Sequence, residues 1–249
     1  MTPLVLLHGF MDSPRTWDLV RPALEREHEV LAPALIGHLG GPRIEGDLNA
    51  EVLADGVERA MDDAGFDTAH VAGNSLGGYL ALKLAERGRA RSVVAFAPAG
   101  GWLDESWRDT LALEERIHEQ TKAAAPRAAA ILATPEGRRR ATAYITVNYE
   151  HIPVELLEHQ LLGVAACTAV APAIAAAQRD GWPLDAERVT CPLRIVWGAE
   201  DRLLAWPTAA DRHRAAFPNA DWVVLDGVGH SPQLDVPIEA AQLILGFTS

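Results

Sequence analysis

The stretch 71–79, Val-Ala-Gly-Asn-Ser-Leu-Gly-Gly-Tyr, constrains the fold more than any other part of the chain. It follows a short apolar run and precedes a helical pattern, and it places Ser75 between Gly73 and Gly77. A serine between two glycines at this spacing, where a strand turns into a helix, is the sequence form of a nucleophile elbow. The glycines remove side chains where strand and helix pass closely, so the turn can hold the serine hydroxyl above a sheet.

Short apolar runs alternate with longer helical patterns on both sides of this turn. The predicted strands are 4–7, 29–32, 70–72, 92–97, 193–197 and 222–225. The predicted helices that accompany them are 16–27, 48–64, 76–87, 208–217 and 237–247. This alternation is typical of a parallel sheet in an α/β protein. We therefore predict an α/β fold with about six strands, all of them parallel.

The alternation stops at Gly100 and resumes at Leu193. Between Trp102 and about Leu184 no segment has the pattern of a strand. Four helices are predicted there, with prolines near the starts of most of them, at 106–124, 126–133, 135–148 and 153–179. We therefore predict a helical cap, residues 101–184, inserted into a core made of residues 1–100 and 185–249.

The charge and the cysteines restrict the partners and the location that we expect. A net charge of −12 argues against binding to nucleic acid or to an anionic membrane. No apolar run approaches the roughly 20 residues of a membrane span, and the first run lacks the basic region of a signal peptide. Cys167 and Cys191 have no partner at metal-ligand spacing. We expect a cytoplasmic protein with reduced thiols, no metal and no cofactor, whose partner is a small-molecule substrate; monomer or homodimer stays open.

Candidate partners for the serine follow two later strands. A serine hydroxyl is a weak nucleophile and needs a base within hydrogen-bond reach, which in turn needs an orienting acid. Asp201 follows the strand predicted at 193–197. His230 lies in a Gly-rich loop after the strand predicted at 222–225. Because the carboxyl ends of parallel strands share one edge, we predict that Ser75, Asp201 and His230 converge there as nucleophile, acid and base.

Two other carboxylates compete with Asp201 for the role of the acid. Asp226 lies at the end of the last predicted strand, and Asp235 follows His230. We prefer Asp201 because it follows its own strand and leaves room for a hydrogen bond to His230 across the sheet edge. His8, at the end of the first strand, is interpreted as structural rather than catalytic.

An attacked carbonyl develops negative charge on its oxygen, and preorganised backbone N–H groups are the expected donors. Leu76 supplies one, because it directly follows the nucleophile at a helix N-terminus. The second is expected from the loop after the first strand, where Phe10 follows His8-Gly9. We therefore predict an oxyanion hole formed by the N–H groups of Phe10 and Leu76.

Taken together, these motifs resemble the α/β-hydrolase fold superfamily over nearly the whole chain. The matching segments are His8-Gly9-Phe10, Gly73-Asn-Ser75-Leu-Gly77-Gly78, Trp197-Gly-x-x-Asp201 and Gly229-His230. The resemblance implies the roles given above and an inserted helical cap. Family members usually carry an N-terminal strand pair that this chain lacks, and an aspartate where this chain has Ala34.

Within the superfamily, the elbow and the turn Pro98–Gly101 resemble the meta-cleavage-product hydrolases, which break carbon–carbon bonds. Those enzymes typically carry a His-Gly-Gly-Gly-Pro-Gly loop and a Trp after the catalytic His. This chain has Phe-Met after His8-Gly9, and Ser231 after His230. A carbon–carbon bond hydrolase, or a cofactor-free lyase with the same triad, therefore stays an alternative.

We predict a serine hydrolase that cleaves a small, largely apolar carboxylic ester or lactone through an acyl-enzyme on Ser75. Apolar residues in or beside the cap or the catalytic edge are expected to bind the substrate: Met11, Trp102, Tyr149 and Trp206. A non-catalytic small-molecule binder with the same fold is the alternative from another functional class.

Overall fold

The computed structural model describes residues 1–248, and one six-stranded sheet forms the centre of that part of the chain. The strands are β1 (Thr2–Leu7), β2 (His28–Leu31), β3 (Ala69–Asn74), β4 (Ala90–Phe96), β5 (Leu193–Gly198) and β6 (Asp221–Leu225). Their order is β2-β1-β3-β4-β5-β6, and every neighbouring pair is parallel. The predicted six-stranded parallel sheet is confirmed. From β1 the chain adds β2 on one side, and from β3 onward it adds strands on the other side of β1. Open α/β sheets form a crevice for ligands at such a switch point.

Eleven α-helices occur within residues 1–248, some joined by short 3₁₀ turns. They are α1 (Arg21–Leu24), α2 (Ala50–Asp63), α3 (Leu76–Glu86), α4 (Trp107–Ala124), α5 (Ala128–Leu132), α6 (Pro135–Thr142), α7 (Val154–Ala166), α8 (Val170–Asp180), α9 (Asp211–Ala216), α10 (Pro232–Asp235) and α11 (Pro237–Thr248). The last two follow the loop that carries His230, and α3 follows Ser75 directly.

Helices cover both faces of the sheet, because successive side chains of a strand point to opposite faces. In β1, Leu4 and Leu6 pack with Leu24 of α1 and Ile244 of α11. Val5 and Leu7 belong to the other core, together with residues of α2 and α3. Every central strand is therefore buried on both sides, which explains why the strands appear in the sequence as uninterrupted apolar runs.

The chain between β4 and β5 contains α4 to α8 and, in residues 97–192, no strand. The helix predicted over 153–179 is two helices, because the N–H groups of Thr168 and Ala169 bond the carbonyl of Gly37 at 2.9 and 3.2 Å. Within residues 1–248 no single helix is long and apolar enough to cross a membrane; α7 and α8, bent by 65°, pass that test only as a pair.

Two more helix predictions were wrong in extent. The helix predicted over 16–27 is a 3₁₀ turn at Pro14–Trp17 followed by the four-residue α1. The helix predicted over 135–148 ends at Thr142, because the carbonyl of Ile145 instead accepts the N–H of Ser231 at 2.8 Å. In the second case the chain leaves the helix to contact the loop that carries His230.

Candidate active site

Ser75 occupies a strained turn between β3 and α3. Its φ is 56° and its ψ is −117°, a region that non-glycine residues rarely adopt. A Cβ on Gly73 would lie 2.2 Å from the carbonyl oxygen of Gly77, and a Cβ on Gly77 would lie 2.2 Å from that of Leu7. The Ser75 N–H donates to the carbonyl of Phe96 at 2.9 Å, which fixes the turn to β4. The glycines are thus required by close backbone contacts.

His230 and Asp201 form a buried pair on the loops after β6 and β5. Nδ1 of His230 lies 2.7 Å from Oδ2 of Asp201, and the two side chains are 3% and 0% exposed. The other carboxylate oxygen of Asp201 accepts the N–H groups of Leu203 and Leu204 at 2.9 and 2.7 Å. Three hydrogen bonds therefore orient the carboxylate, which holds the Nδ1 proton and leaves Nε2 of His230 as an acceptor.

Nε2 of His230 faces the same cavity as Ser75. It is buried and has no hydrogen-bond partner among residues 1–248. Ser75 and His230 both line this cavity, although no hydrogen bond joins the serine hydroxyl to Nε2 within the described chain. Catalytic hydrogen bonds are often long in ligand-free enzymes and tighten when substrate binds.

The competing carboxylates are used elsewhere or exposed. Asp235 is buried and accepts the N–H groups of Val147, Asn148 and Gly229 at 2.9, 2.6 and 2.6 Å. It joins the loop after α6 to the loop that carries His230. Asp226 is exposed at the end of β6. Asp201 is the carboxylate that contacts the imidazole ring of His230.

Asn74, the last residue of β3, holds the loop of His230 from the nucleophile side. Its Nδ2 donates to the carbonyl of His230 at 2.9 Å, and its Oδ1 accepts from Ser231 and Gln233 at 3.2 and 3.1 Å. The sequence patterns assigned no role to this residue. The signal available was a polar side chain at the end of an otherwise apolar strand, which must be satisfied when buried.

The loop after β1 lies against the nucleophile. A Cβ on Gly9 would lie 3.4 Å from the Cβ of Ser75. Within residues 1–248 neither the N–H of Phe10 nor that of Leu76 donates a hydrogen bond to backbone or side chain. Met11, the next residue, has a φ of 60°, so this loop also stores backbone strain.

His8 stabilises that loop through hydrogen bonds to both of its ring nitrogens. Its Nδ1 donates to the carbonyl of Gly9 at 2.8 Å, and its Nε2 accepts the N–H of Leu35 at 3.0 Å. Burial, with the neighbouring His38, lowers the pKa of His8 to about 3, so the ring stays neutral. A neutral ring with both nitrogens occupied has the structural role that the sequence suggested.

The charge state of His230 depends on the acids around it. Burial lowers the pKa of His230, but the charge and the hydrogen bond of Asp201, with the more distant Glu114 and Asp12, outweigh that effect, so the pKa is raised. Burial also raises the pKa of Glu114 from 4.5 to about 7 and that of Asp12 from 3.8 to about 6. Sequence patterns did not indicate a role for either acid, because they do not show which helix faces the serine.

Two cavities meet at Ser75. One, of about 190 Å³, extends past Leu76, Tyr79 and Trp102. The other, of about 150 Å³, extends past Met11 and His230. The helices between β4 and β5 contribute to the walls of both. The substrate therefore has room on either side of the nucleophile.

The residues predicted to line the pocket divide into two groups. Met11 and Trp102 lie on the cavity walls. Tyr149 lies elsewhere, packed with a separate apolar cluster around Ile152. Trp206 lies beyond Trp197, with ring centroids 6.0 Å apart, and does not line either cavity. The structure does not place these two residues on the cavity walls, because both are half-buried and pack against the outside of the apolar clusters.

Comparison with known proteins agrees with this architecture. A family model described as alpha/beta hydrolase family matches residues 4–243. An epoxide hydrolase of Mycobacterium tuberculosis is 33% identical over 209 residues, covering 80% of this chain and 95% of the relative. A pimeloyl-acyl-carrier-protein methyl ester esterase of Aromatoleum aromaticum is 29% identical over 267 residues, covering 97% of this chain and 96% of the relative.

Solved structures agree at the level of the fold. A meta-cleavage product hydrolase from Pseudomonas fluorescens superposes with a TM-score of 0.73 at 19% identity, covering 99% of this chain and 90% of that chain. The resemblance recognised in the sequence motifs is confirmed. The chain belongs to the alpha/beta hydrolase family and is a hydrolase.

Proposed function

We propose that this hydrolase cleaves a small, largely apolar carboxylic ester or lactone through an acyl-enzyme on Ser75. One observation carries the proposal: a buried Asp201–His230 pair presents an unpartnered Nε2 to the cavity that the elbow serine lines. This is the arrangement that activates a serine hydroxyl.

The reaction proceeds in two halves. The hydroxyl oxygen of Ser75 attacks the carbonyl carbon while its proton passes to Nε2 of His230. The N–H groups of Phe10 and Leu76 hold the oxyanion. When the tetrahedral intermediate collapses, the bond to the leaving oxygen breaks and Nε2 returns the proton to that oxygen. A water molecule, deprotonated by His230, then attacks the acyl-enzyme and releases the acid and the free serine.

The two cavities suit the two parts of an ester. Because Nε2 must reach the leaving oxygen, the alcohol portion occupies the cavity that His230 lines, and the acyl portion occupies the one lined by Leu76 and Trp102.

We also propose that residues 101–184 act as a cap, since Trp102 and α4 contribute to the walls of these cavities.

The charges of the cavity walls favour an ester over the alternative carbon–carbon hydrolysis. Apart from His230, the charged side chains among the described wall residues are acidic: Asp12, Glu51, Glu114 and Asp180. The vinylogous diketone acids cleaved by meta-cleavage-product hydrolases are anions, which the two wall acids without an ion-pair partner, Asp12 and Glu114, would repel. A neutral ester has no such penalty.

The nucleophile also separates this proposal from epoxide hydrolysis, the activity named for one relative. A carboxylate that opens an epoxide forms an ester, which water can cleave at the acyl carbon. A serine hydroxyl would form an ether, which has no acyl carbon to attack. Ser75 therefore supports acyl transfer rather than covalent opening of an epoxide.

The test is turnover of p-nitrophenyl butyrate. Ser75→Ala should lower kcat/KM by at least about a thousandfold, because the nucleophile is lost while binding and the oxyanion hole remain. Ser106→Ala, at an exposed serine before α4, is the matched control and should keep the wild-type rate. Circular dichroism checks that both variants fold. Wild-type activity in Ser75→Ala would exclude the mechanism, and failure of a fluorophosphonate to label Ser75 would favour a non-catalytic binder.

A further inference from the structure

Glu114 lies at the junction of the two cavities. Three residues of the described chain line both cavities, namely Phe10, Ser75 and Glu114. Glu114 lies in the middle of α4 and is only 7% exposed. A carboxyl group therefore borders the space in which the ester bond must lie, next to the nucleophile.

The other acids of the cavity walls have partners. Asp12 accepts the N–H of Ser13 at 2.8 Å. Glu51 forms an ion pair with Lys83 at 2.7 Å, and Asp180 forms one with Arg179 at 2.8 Å. These contacts satisfy or neutralise each of the three carboxylates from within the protein.

Glu114 has no such partner. Its carboxyl forms no hydrogen bond or ion pair with any group in residues 1–248, and His230 is the charged group that acts on it through space. A buried carboxylate without a partner is unfavourable, so the group binds a proton readily. A positively charged ligand next to Glu114 would stabilise the ionised carboxylate.

We propose that Glu114 is a specificity-determining residue that binds a positively charged amine in the alcohol portion of the substrate. This inference rests on the proposed ester hydrolase function. The alcohol portion is assigned because Glu114 lines the same cavity as His230, which protonates the leaving oxygen. Since Glu114 borders the reaction centre, a short spacer separates the amine from the ester oxygen.

The surroundings favour a cation over a neutral hydrogen-bond donor. The described walls carry no lysine or arginine that would repel a positive charge, and Asp12 adds negative charge to the same cavity. Phe10, an aromatic residue, also lines both cavities, and aromatic rings attract ammonium groups. A neutral alcohol of the same shape would gain neither interaction.

The test compares two esters of butyric acid that share one shape and differ in charge. The trimethylammonioethyl ester carries a permanent positive charge, and the tert-butylethyl ester is its neutral counterpart. The experiment is done at pH 8, above the pKa of about 7 to which burial raises Glu114, and at roughly 0.5 M ionic strength, where the surface potential is screened. The wild-type enzyme should prefer the charged ester by about tenfold in kcat/KM, as expected for one charge pair in a buried site.

Glu114→Gln removes the charge and keeps the shape, and the preference should fall to about equality. Glu115→Gln is the matched control, because Glu115 is the next residue of α4 and is exposed. That variant should keep the wild-type ratio. An equal rate for both esters in the wild type, or the same ratio in both variants, would overturn the role of Glu114.

Failure of the proposed function gives a different result. In that case the wild-type protein would hydrolyse neither butyrate ester nor p-nitrophenyl butyrate. The preference is then measured as binding of the two esters by calorimetry. Tighter binding of the charged ester that Glu114→Gln abolishes would still support the cation site, and equal binding of both esters would overturn it.

Discussion

Single residues of the site combine a chemical role with a cost to stability, and Glu114 is the most testable of them. Burial raises its pKa from 4.5 to about 7, so the folded protein holds a proton that the unfolded chain releases. The folded state is therefore penalised as the pH rises from 4.5 to about 7, and the full penalty, about 3 kcal/mol, applies above pH 7. Below pH 4.5 both states are protonated and no penalty remains.

We expect Glu114→Gln to remove this dependence. At pH 5 the free energy of unfolding of the variant should exceed that of the wild type by less than about 1 kcal/mol, and at pH 8 by about 3 kcal/mol. Urea unfolding at the two values measures the difference. Glu115→Gln, at an exposed position, should show no such change between the two values. A Glu114→Gln protein that lost stability at pH 8 would mean that the carboxylate has a partner after all.

Single residues of the site also show which roles sequence patterns can predict and which they cannot. Ser75, Asp201 and His230 each follow a strand, so their spacing and order already indicate one sheet edge. Asn74 carries only a weak signal, as a polar residue that ends an apolar strand, and Glu114 carries none, because the importance of both depends on what they face after folding. A sequence pattern predicts the secondary-structure element in which a residue lies. Only the three-dimensional structure shows which residues of other elements it contacts.

Secondary-structure elements were predicted well where the signal was local. The strands are short, largely apolar runs, and all six were recognised. Helix boundaries were wrong where a tertiary hydrogen bond competes with the helix, as at Thr168 and Ala169, whose N–H groups bond Gly37. The aromatic residues Tyr149 and Trp206 were misplaced for a related reason, because a position in or beside the predicted cap does not show whether a side chain faces the cavity or packs elsewhere.

The close contact between α3 and β1 makes a prediction at the scale of elements. Gly77→Ala would place a Cβ 2.2 Å from the carbonyl oxygen of Leu7 and 2.6 Å from that of His8. Neither backbone can move without disturbing the elbow, so we expect a loss of at least about 3 kcal/mol in the free energy of unfolding. Urea unfolding, or the soluble yield if the variant is too unstable, measures it.

A matched helical glycine gives the control. Gly246 in α11 has no atom within 4 Å of an added Cβ. Gly246→Ala should therefore leave stability unchanged or raise it by up to about 1 kcal/mol, since alanine is the better helix former. A Gly77→Ala protein as stable as Gly246→Ala would contradict the close approach of helix and strand.

At the scale of the whole molecule, the net charge of −12 and the acidic cavity walls act in the same direction. Both produce a negative potential, which attracts cations to the cavity and repels anions. Local binding at Glu114 and long-range attraction by the whole surface would both favour a charged ester. The two effects differ in range, so their contributions can be distinguished by varying the salt concentration. The screening length falls from about 30 Å at 0.01 M to less than 10 Å at 0.5 M, which weakens the long-range attraction.

We expect kcat/KM for the trimethylammonioethyl ester to fall several-fold between roughly 0.01 M and 0.5 M ionic strength, while that for the tert-butylethyl ester changes little. Glu114→Gln should show a similar relative decline, because one exchanged charge leaves most of the surface potential in place. A decline that disappeared with Glu114 would assign the whole effect to the cavity. A parallel decline for both esters would show that salt acts on the enzyme itself, and the surface charge would then have no part in selecting the substrate.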